Sequence, residues 1–354
     1  MVPKRRAVAI SGTIMAILLL CGAGLLISFN SMIAPVNASN DQGILIEVPS
    51  GASTGLIASI LADAGVIHNA LVFRIYARWH DLDKGFIAGS YHLNPAMSLD
   101  EIAATISGGA VFRETDWFTV PEGLTVEQIA ARLDEQGLIN GERFLALVKE
   151  APSDIVNKFS FLNGIHNPSI KYSLEGYLFP DTYEIARGAT EEEIIILMLR
   201  RLDRVLSEEL RQRARELNLS LHEVLTLASI VERETVVDHE RKLIAGVFHN
   251  RLAAGYPFES CATVNYLLDE VKPVLSIEDT KIDSPYNTYQ YPGLPPGPIA
   301  APGETSILAA LYPEATDYFF FRSKEDGTGE SYFARTLAEH NLNTQKAEQN
   351  IRNR

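Results

Sequence analysis

Val48-Pro49-Ser50-Gly51, followed by Ile57-Ala58, Leu61, Gly65 and Ile67, recurs 72 residues later as Val120-Pro121-Glu122-Gly123, Ile129-Ala130, Leu133, Gly137 and Ile139. In each copy an alternating run (Ile44 to Val48; Trp117 to Val120) reads as a strand and Pro-x-Gly as a turn. The apolar spacing that follows reads as an amphipathic helix stopped by Gly65 or Gly137. After the first copy come a second strand, Gly89 to Leu93, and a helix, Leu99 to Ile106, which close a unit over about residues 44–112. Strand-turn-helix modules of this kind predict an α+β fold.

The N-terminus predicts a membrane span. Lys4, Arg5 and Arg6 precede an uncharged stretch from Ala7 to Phe29. At about 1.5 Å per residue it reaches about 35 Å, enough to cross a hydrocarbon layer of about 30 Å with modest tilt. The basic flank would stay in the cytoplasm and the rest would be exported. A cleaved signal peptide, with Val36-Asn37-Ala38 as its small-residue site, competes with this reading. The stretch is longer than a usual signal core, and Ala38 stands away from its end. Leu20 before Cys21 is too bulky for a lipidation box. Ser31 to Gln42, with Pro35 and several Asn and Ser, reads as a tether.

The soluble part has ordinary globular composition, 46% apolar and 21% charged. A formal charge of -14 argues against a nucleic-acid partner. Cys21 and Cys261, the two cysteines, make no disulfide framework. His222, His239, His249 and His340 lack metal-ligand spacing, and neither a Gly-x-Ser-x-Gly elbow nor a phosphate-binding glycine loop occurs. Residues 191–217 carry Ile194, Ile195, Leu197, Met198, Leu202, Val205, Leu206 and Leu210 at helical spacing, which predicts one long helix.

The candidate chemistry lies in Leu221 to Thr235, LHEVLTLASIVERET, which Ser220 and Glu223 open as a capping box. On this helix Glu232 falls near Leu221, Leu225 and Ala228, so periodicity expects apolar flanks for its carboxyl group. Desolvation disfavours a carboxylate, which suits a general acid. A plain ion pair with Arg233, Arg241 or Lys242 is the alternative. Glu234, beside Leu227 and Ile230, is an equal rival, and periodicity does not choose between the two acids.

Leu227-Ala228-Ser229-Ile230-Val231-Glu232-Arg233-Glu234-Thr235, Val247-Phe248-His249-Asn250-Arg251-Leu252 and Thr263-Val264-Asn265-Tyr266 resemble the endolytic murein transglycosylase, or YceG-like, family. Ser173 to Tyr183, Tyr286-Asn287-Thr288-Tyr289, Gly293 to Ile299 and Thr336 to Asn341 resemble its further blocks in order. The resemblance implies one catalytic glutamate, Glu232. It would protonate the oxygen between N-acetylmuramic acid and N-acetylglucosamine, then take the proton of the muramoyl 6-hydroxyl. The sugar's own hydroxyl or acetamido group is then the nucleophile, so the two carboxylates of ordinary glycosidases are not demanded. The resemblance also implies substrate binding by Tyr286, Asn287, Tyr289, Thr263, Tyr266 and Ser229, with Glu234 as a supporting carboxylate. An ordinary turn is the alternative for Tyr286 to Tyr289. No metal and no cofactor are implied. Where many relatives have Asp-Pro before Thr-Val this chain has Cys261-Ala262, and where many have Asn before Pro-Gly it has Ala301.

The expected organisation is therefore a cytoplasmic tip and transmembrane helix (1–29), a linker (30–43), a LysM-like αβ module (44–112), a mixed α+β catalytic domain (113–345, its first part, 113–150, being the second repeat copy) and a tail (346–354). Such a protein would be a single-pass cytoplasmic-membrane enzyme with its catalytic domain on the extracytoplasmic side. It would act on peptidoglycan glycan strands, terminating nascent ones beside the cell-wall synthases. Two other readings stand against this one: a non-catalytic glycan-binding scaffold, and an aminodeoxychorismate lyase that would need pyridoxal phosphate and a Schiff-base lysine.

Overall fold

The structure, a computed structural model, describes residues 30–353 apart from 83–84, 110–113, 164 and 166. The predicted span at 7–29 lies outside the described residues, among which no helix is long and apolar enough to cross a membrane. The chain divides into two compact units between Glu114 and Thr115, and both mix helices with short antiparallel strand pairs, as an α+β fold requires.

In the first unit, β1 (Ile44–Val48) pairs antiparallel with β2 (Gly89–Leu93), Ile44 facing Leu93 and Val48 facing Gly89. Between them run α1 (Thr54–Asp63) and α2 (Ala70–Trp79), and α3 (Leu99–Ser107) follows. Ser53 and Asn69 cap α1 and α2 with their side-chain oxygens, and Ser98 with Glu101 forms a capping box on α3. Sequence reading does not predict α2, although Val72, Phe73, Tyr76 and Ala77 mark one buried face of it. That face joins Ile46, Val48, Ile57, Leu61, Tyr91, Leu93, Ile102 and Ile106 in a core of its own.

The second copy of the repeat opens the larger unit as β3 (Thr115–Thr119) and α4 (Val126–Glu135). The two copies share backbone detail: Gly51 and Gly123 have φ of 72° and 77°, and Gly65 and Gly137 have 72° and 68°. Only glycine adopts these conformations at little cost. The copies differ in partner, because β3 pairs with the distant β4 (Thr182–Ala186), Thr119 facing Thr182. Between these strands come α5 (Gly141–Glu150) and the short α6 (Ser153–Val156).

The predicted long helix at 191–217 is instead two, α7 (Glu191–Val205) and α8 (Glu208–Glu216). Leu206 leaves helical geometry with ψ of 64°, and the Ser207 side chain accepts from Leu210 N–H to start α8. Arg211 Nε donates to the freed Leu206 carbonyl at 2.7 Å. Apolar spacing continues across the break because both helices bury residues in the same core, so periodicity alone does not reveal it.

At the centre lies α9 (Leu221–Glu234), where Val224, Leu225, Leu227, Ala228, Ile230 and Val231 are all fully buried. A helix apolar on nearly every side can only be a core axis, and α9 packs against α10 (Arg241–Ala253), the short α11 (Cys261–Asn265) and α12 (Glu304–Leu311). Its capping box forms as expected: Glu223 N–H donates to Ser220 Oγ at 3.2 Å and Ser220 N–H to Glu223 Oε2 at 2.7 Å. The hairpin of β5 (Phe320–Ser323) and β6 (Ser331–Ala334), covered by α13 (Leu337–Arg352), completes the unit.

Candidate active site

The polar end of α9 carries Glu232, whose side chain is 7% exposed. Arg241, at the start of α10, donates from Nη1 to Glu232 Oε1 at 3.1 Å. On the other oxygen, the Gly303 N–H donates to Oε2 at 3.0 Å. Gly303 is the N-cap of α12, so the carboxylate also meets the positive end of that helix. The apolar flanks expected from periodicity are therefore not what the carboxyl oxygens meet. Leu225 and Ala228 face the core, while the groups that close on Glu232 come from elsewhere in the chain. Of the two readings left open, the ion pair is the one present. Arg241 also donates to Ser306 Oγ at 2.5 Å and, from Nε, to Asp238 Oδ1 at 3.1 Å. Burial works against its charge, but the Glu232 and Asp238 carboxylates hold its pKa above the ordinary arginine value.

A second carboxylate shares this centre. The repeat turn Pro121-Glu122-Gly123 is held by Gly123 N–H donating to the Ala301 carbonyl and by Ala301 N–H donating to Leu124, both at 2.8 Å. Arg233 Nη1 donates to Gly123 O at 3.0 Å. This pinning lays the exposed Glu122 against Gly303 so closely that a Cβ there would overlap its carboxyl group. Partial burial, then the neighbouring Glu232 charge, raise the Glu122 pKa, and Arg241 opposes this only in part. Glu232 and Glu122 thus flank one glycine, the first nearly enclosed and the second open to solvent.

The other expected site residues are placed differently. Glu234 accepts from Ser260 Oγ at 2.5 Å and from Ala262 N–H at 3.2 Å, which ties it to the start of α11. Ser229 is fully buried, donates to Thr226 O and accepts from Ile299 N–H at 3.0 Å, so it fastens α9 to the Gly/Pro-rich loop. Asn287 is fully buried, with Nδ2 donating to the Thr280 and Ile282 carbonyls and Oδ1 accepting from Tyr289 N–H. Thr263 is buried against Ser260 O and Thr288 Oγ1. Tyr266 and Tyr286 are buried with rings 5.1 Å apart, and Tyr266 donates to Glu175. These five side chains, expected to bind substrate, are buried, and among the described residues the Tyr286 hydroxyl has no hydrogen-bond partner. Tyr289 is half-buried with its hydroxyl 3.1 Å from the sulfur of the exposed Cys261.

The YceG-like family profile matches residues 46–346, well over half of the chain. The chain belongs to that family. The endolytic murein transglycosylase of Bacillus subtilis (strain 168) is 36% identical over 326 residues, 89% of this chain and 88% of that one. That of Streptococcus pneumoniae serotype 2 (strain D39 / NCTC 7466) is 32% identical over 328 residues, 87% of this chain and 59% of that longer one. The crystal structure of a yceG-like protein from Listeria monocytogenes superposes with a TM-score of 0.60 at 37% identity, covering 85% of this chain and 98% of that one.

Two members of this centre, Glu122 and Gly303, escape the sequence analysis, and a third, Arg241, is left there as one of several candidates. Glu122 has a visible signal: it replaces Ser50 of the first copy inside an otherwise parallel turn. Gly303 leaves no signal beyond its Pro-Gly context. Arg241 appears among three cations that could pair with Glu232, and only the fold selects it: Arg233 turns to Gly123.

Proposed function

We propose that this chain is an endolytic lytic transglycosylase of peptidoglycan. It cleaves the β-1,4 bond between N-acetylmuramic acid and N-acetylglucosamine within glycan strands and leaves 1,6-anhydro ends. The observation that carries the reading is the likeness to the Bacillus subtilis endolytic murein transglycosylase over nearly the whole of both chains. Glu232 is the catalytic carboxylate. It sits at the rim of a buried helix, where Gly303 N–H and Arg241 fix both of its oxygens in space. Fixed geometry is what proton transfer to a bridging oxygen needs. As acid, Glu232 protonates the leaving oxygen; as base, it takes the 6-hydroxyl proton while O6 closes on C1.

Residues 7–29 anchor the enzyme in the cytoplasmic membrane, with the basic N-terminus inside and the catalytic unit outside, where cell-wall synthases deliver nascent strands. The strand-helix-helix-strand order of the first unit supports its reading as a LysM-like glycan-binding module. The test is mass spectrometry of products from purified glycan strands: wild type gives anhydro ends, and Glu232→Gln gives none while keeping its fold. Products with reducing ends, or unchanged activity in Glu232→Gln, refute the reading.

A further inference from the structure

Enclosed and paired with Arg241, Glu232 is well placed but poorly supplied with a proton. Its two oxygens already face a guanidinium and an amide N–H, and with its side chain 7% exposed it has little direct access to water. The acid step nevertheless begins with a proton at this centre.

We propose that Glu122 is the positioning residue that sets the proton supply of Glu232, the two side chains acting as one coupled acid pair that carries a single proton across Gly303. The inference rests on the transglycosylase reading above and adds a second carboxylate to it.

Three observations carry it. Both carboxyl groups lie against the same residue, Glu232 on the Gly303 N–H and Glu122 where a Gly303 Cβ would stand. The turn that holds Glu122 is pinned by backbone bonds to Ala301 and by Arg233, so the carboxyl group is not on a free loop. Glu122 is exposed, so the pair exchanges protons with solvent through Glu122 although Glu232 is nearly enclosed. The raised proton affinity of Glu122, from partial burial and the Glu232 charge, agrees. The charged groups around the pair are Arg233 from α9, Asp238 and Arg241 at the start of α10, and Glu304 in the first turn of α12.

The cycle balances. The pair enters with one proton, which passes to the bridging oxygen as its bond to C1 breaks. Both carboxylates are then ionised side by side, an arrangement whose repulsion makes the pair a stronger base. The pair takes the proton of the muramoyl 6-hydroxyl as O6 bonds to C1, and returns to its singly protonated state. No water is consumed and no other reactant is needed.

The experiment compares pH–rate profiles of anhydro-product release by the full chain. In Glu122→Gln the like charge is gone, and the alkaline limb is expected to move down by about one pH unit. Above the limb the loss is then about tenfold, with recovery at lower pH. Glu122→Asp keeps the limb within about half a unit. Gly303→Ala, which retains the N–H but displaces the Glu122 carboxyl group, moves it the same way as Glu122→Gln. A loss equal at every pH, or no change, overturns the proposal. A second readout needs no activity: carbon-13 carboxyl NMR, with the Glu122 signal assigned by its absence in Glu122→Gln. Glu122 is expected to titrate above an ordinary glutamate and to fall by at least half a unit, roughly, in Glu232→Gln. A midpoint that does not move overturns the coupling. Absence of anhydro product from wild type would sink the transglycosylase reading instead, and the titration would still decide this one.

Discussion

Replacing Glu175 by glutamine should make this protein more resistant to alkali. Glu175 is 1% exposed, and among the described residues no cation pairs with it. It accepts from the Val126 N–H at the start of α4, at 3.1 and 3.3 Å, and from the Tyr266 hydroxyl at 3.2 Å. Burial pushes its pKa from 4.5 up to about 8, and these hydrogen bonds offset only part of that. At about 1.4 kcal/mol per pH unit the displacement corresponds to roughly 5 kcal/mol between neutral and ionised forms, an upper bound once local relaxation is allowed. The folded-state pKa lies above the unfolded one, so the folded chain holds the proton more tightly. Its contribution is therefore complete below about pH 4.5, declines as pH rises, and is gone above about pH 8. Glutamine keeps the shape and an acceptor oxygen but has nothing to ionise. Thermal melts of wild type and Glu175→Gln should nearly coincide at pH 5. At pH 9 the variant should be more stable by about 3 kcal/mol, or roughly 6–12 °C for a unit of this size. The difference between the two curves isolates Glu175, because other titrating groups cancel. A difference that stays flat from pH 5 to 9 would refute the reasoning.

Two further outcomes follow from the site geometry. Asn287→Ala should cost about 2–4 kcal/mol, since it strands two carbonyls and an N–H in the interior. The loss should appear in the melting temperature and leave KM for glycan strands within about twofold, whereas a substrate contact would raise KM at unchanged stability. Arg241→Met should lower stability by about 3 kcal/mol, because Arg241 is 11% exposed and its removal leaves the Glu232 carboxylate with one partner. A denaturant midpoint equal to wild type would contradict the pairing.

Much of the fold was legible because it rests on local chemistry. Ser220 with Glu223, and Thr125 with Gln128, announce helix starts from adjacent residues, and the repeat glycines mark turns that only glycine enters cheaply. Legibility failed where two successive helices bury residues in one core, as on either side of Leu206-Ser207. It failed too for α2, whose apolar residues stand beside others that face solvent. The motif residues Ser229, Asn287 and Thr263 are legible as a set in the sequence, but their hydrogen bonds to the Ile299 N–H, the Thr280 carbonyl and Thr288 Oγ1 reach other segments of the chain, which no local pattern indicates.

From sequence alone come the α+β class, the repeated strand-turn-helix module, and a helix ending in two rival acids at 232 and 234. Helical periodicity can say only which neighbours on the same helix an acid has, and those neighbours were apolar. Tertiary structure gave the two acids different surroundings, bringing Arg241, Glu122 and Gly303 to one of them and the Ser260 to Ala262 segment to the other. A charge takes its environment from whatever packs against it, and here Glu122 and Gly303 stand about a hundred residues before and seventy residues after Glu232 in the chain.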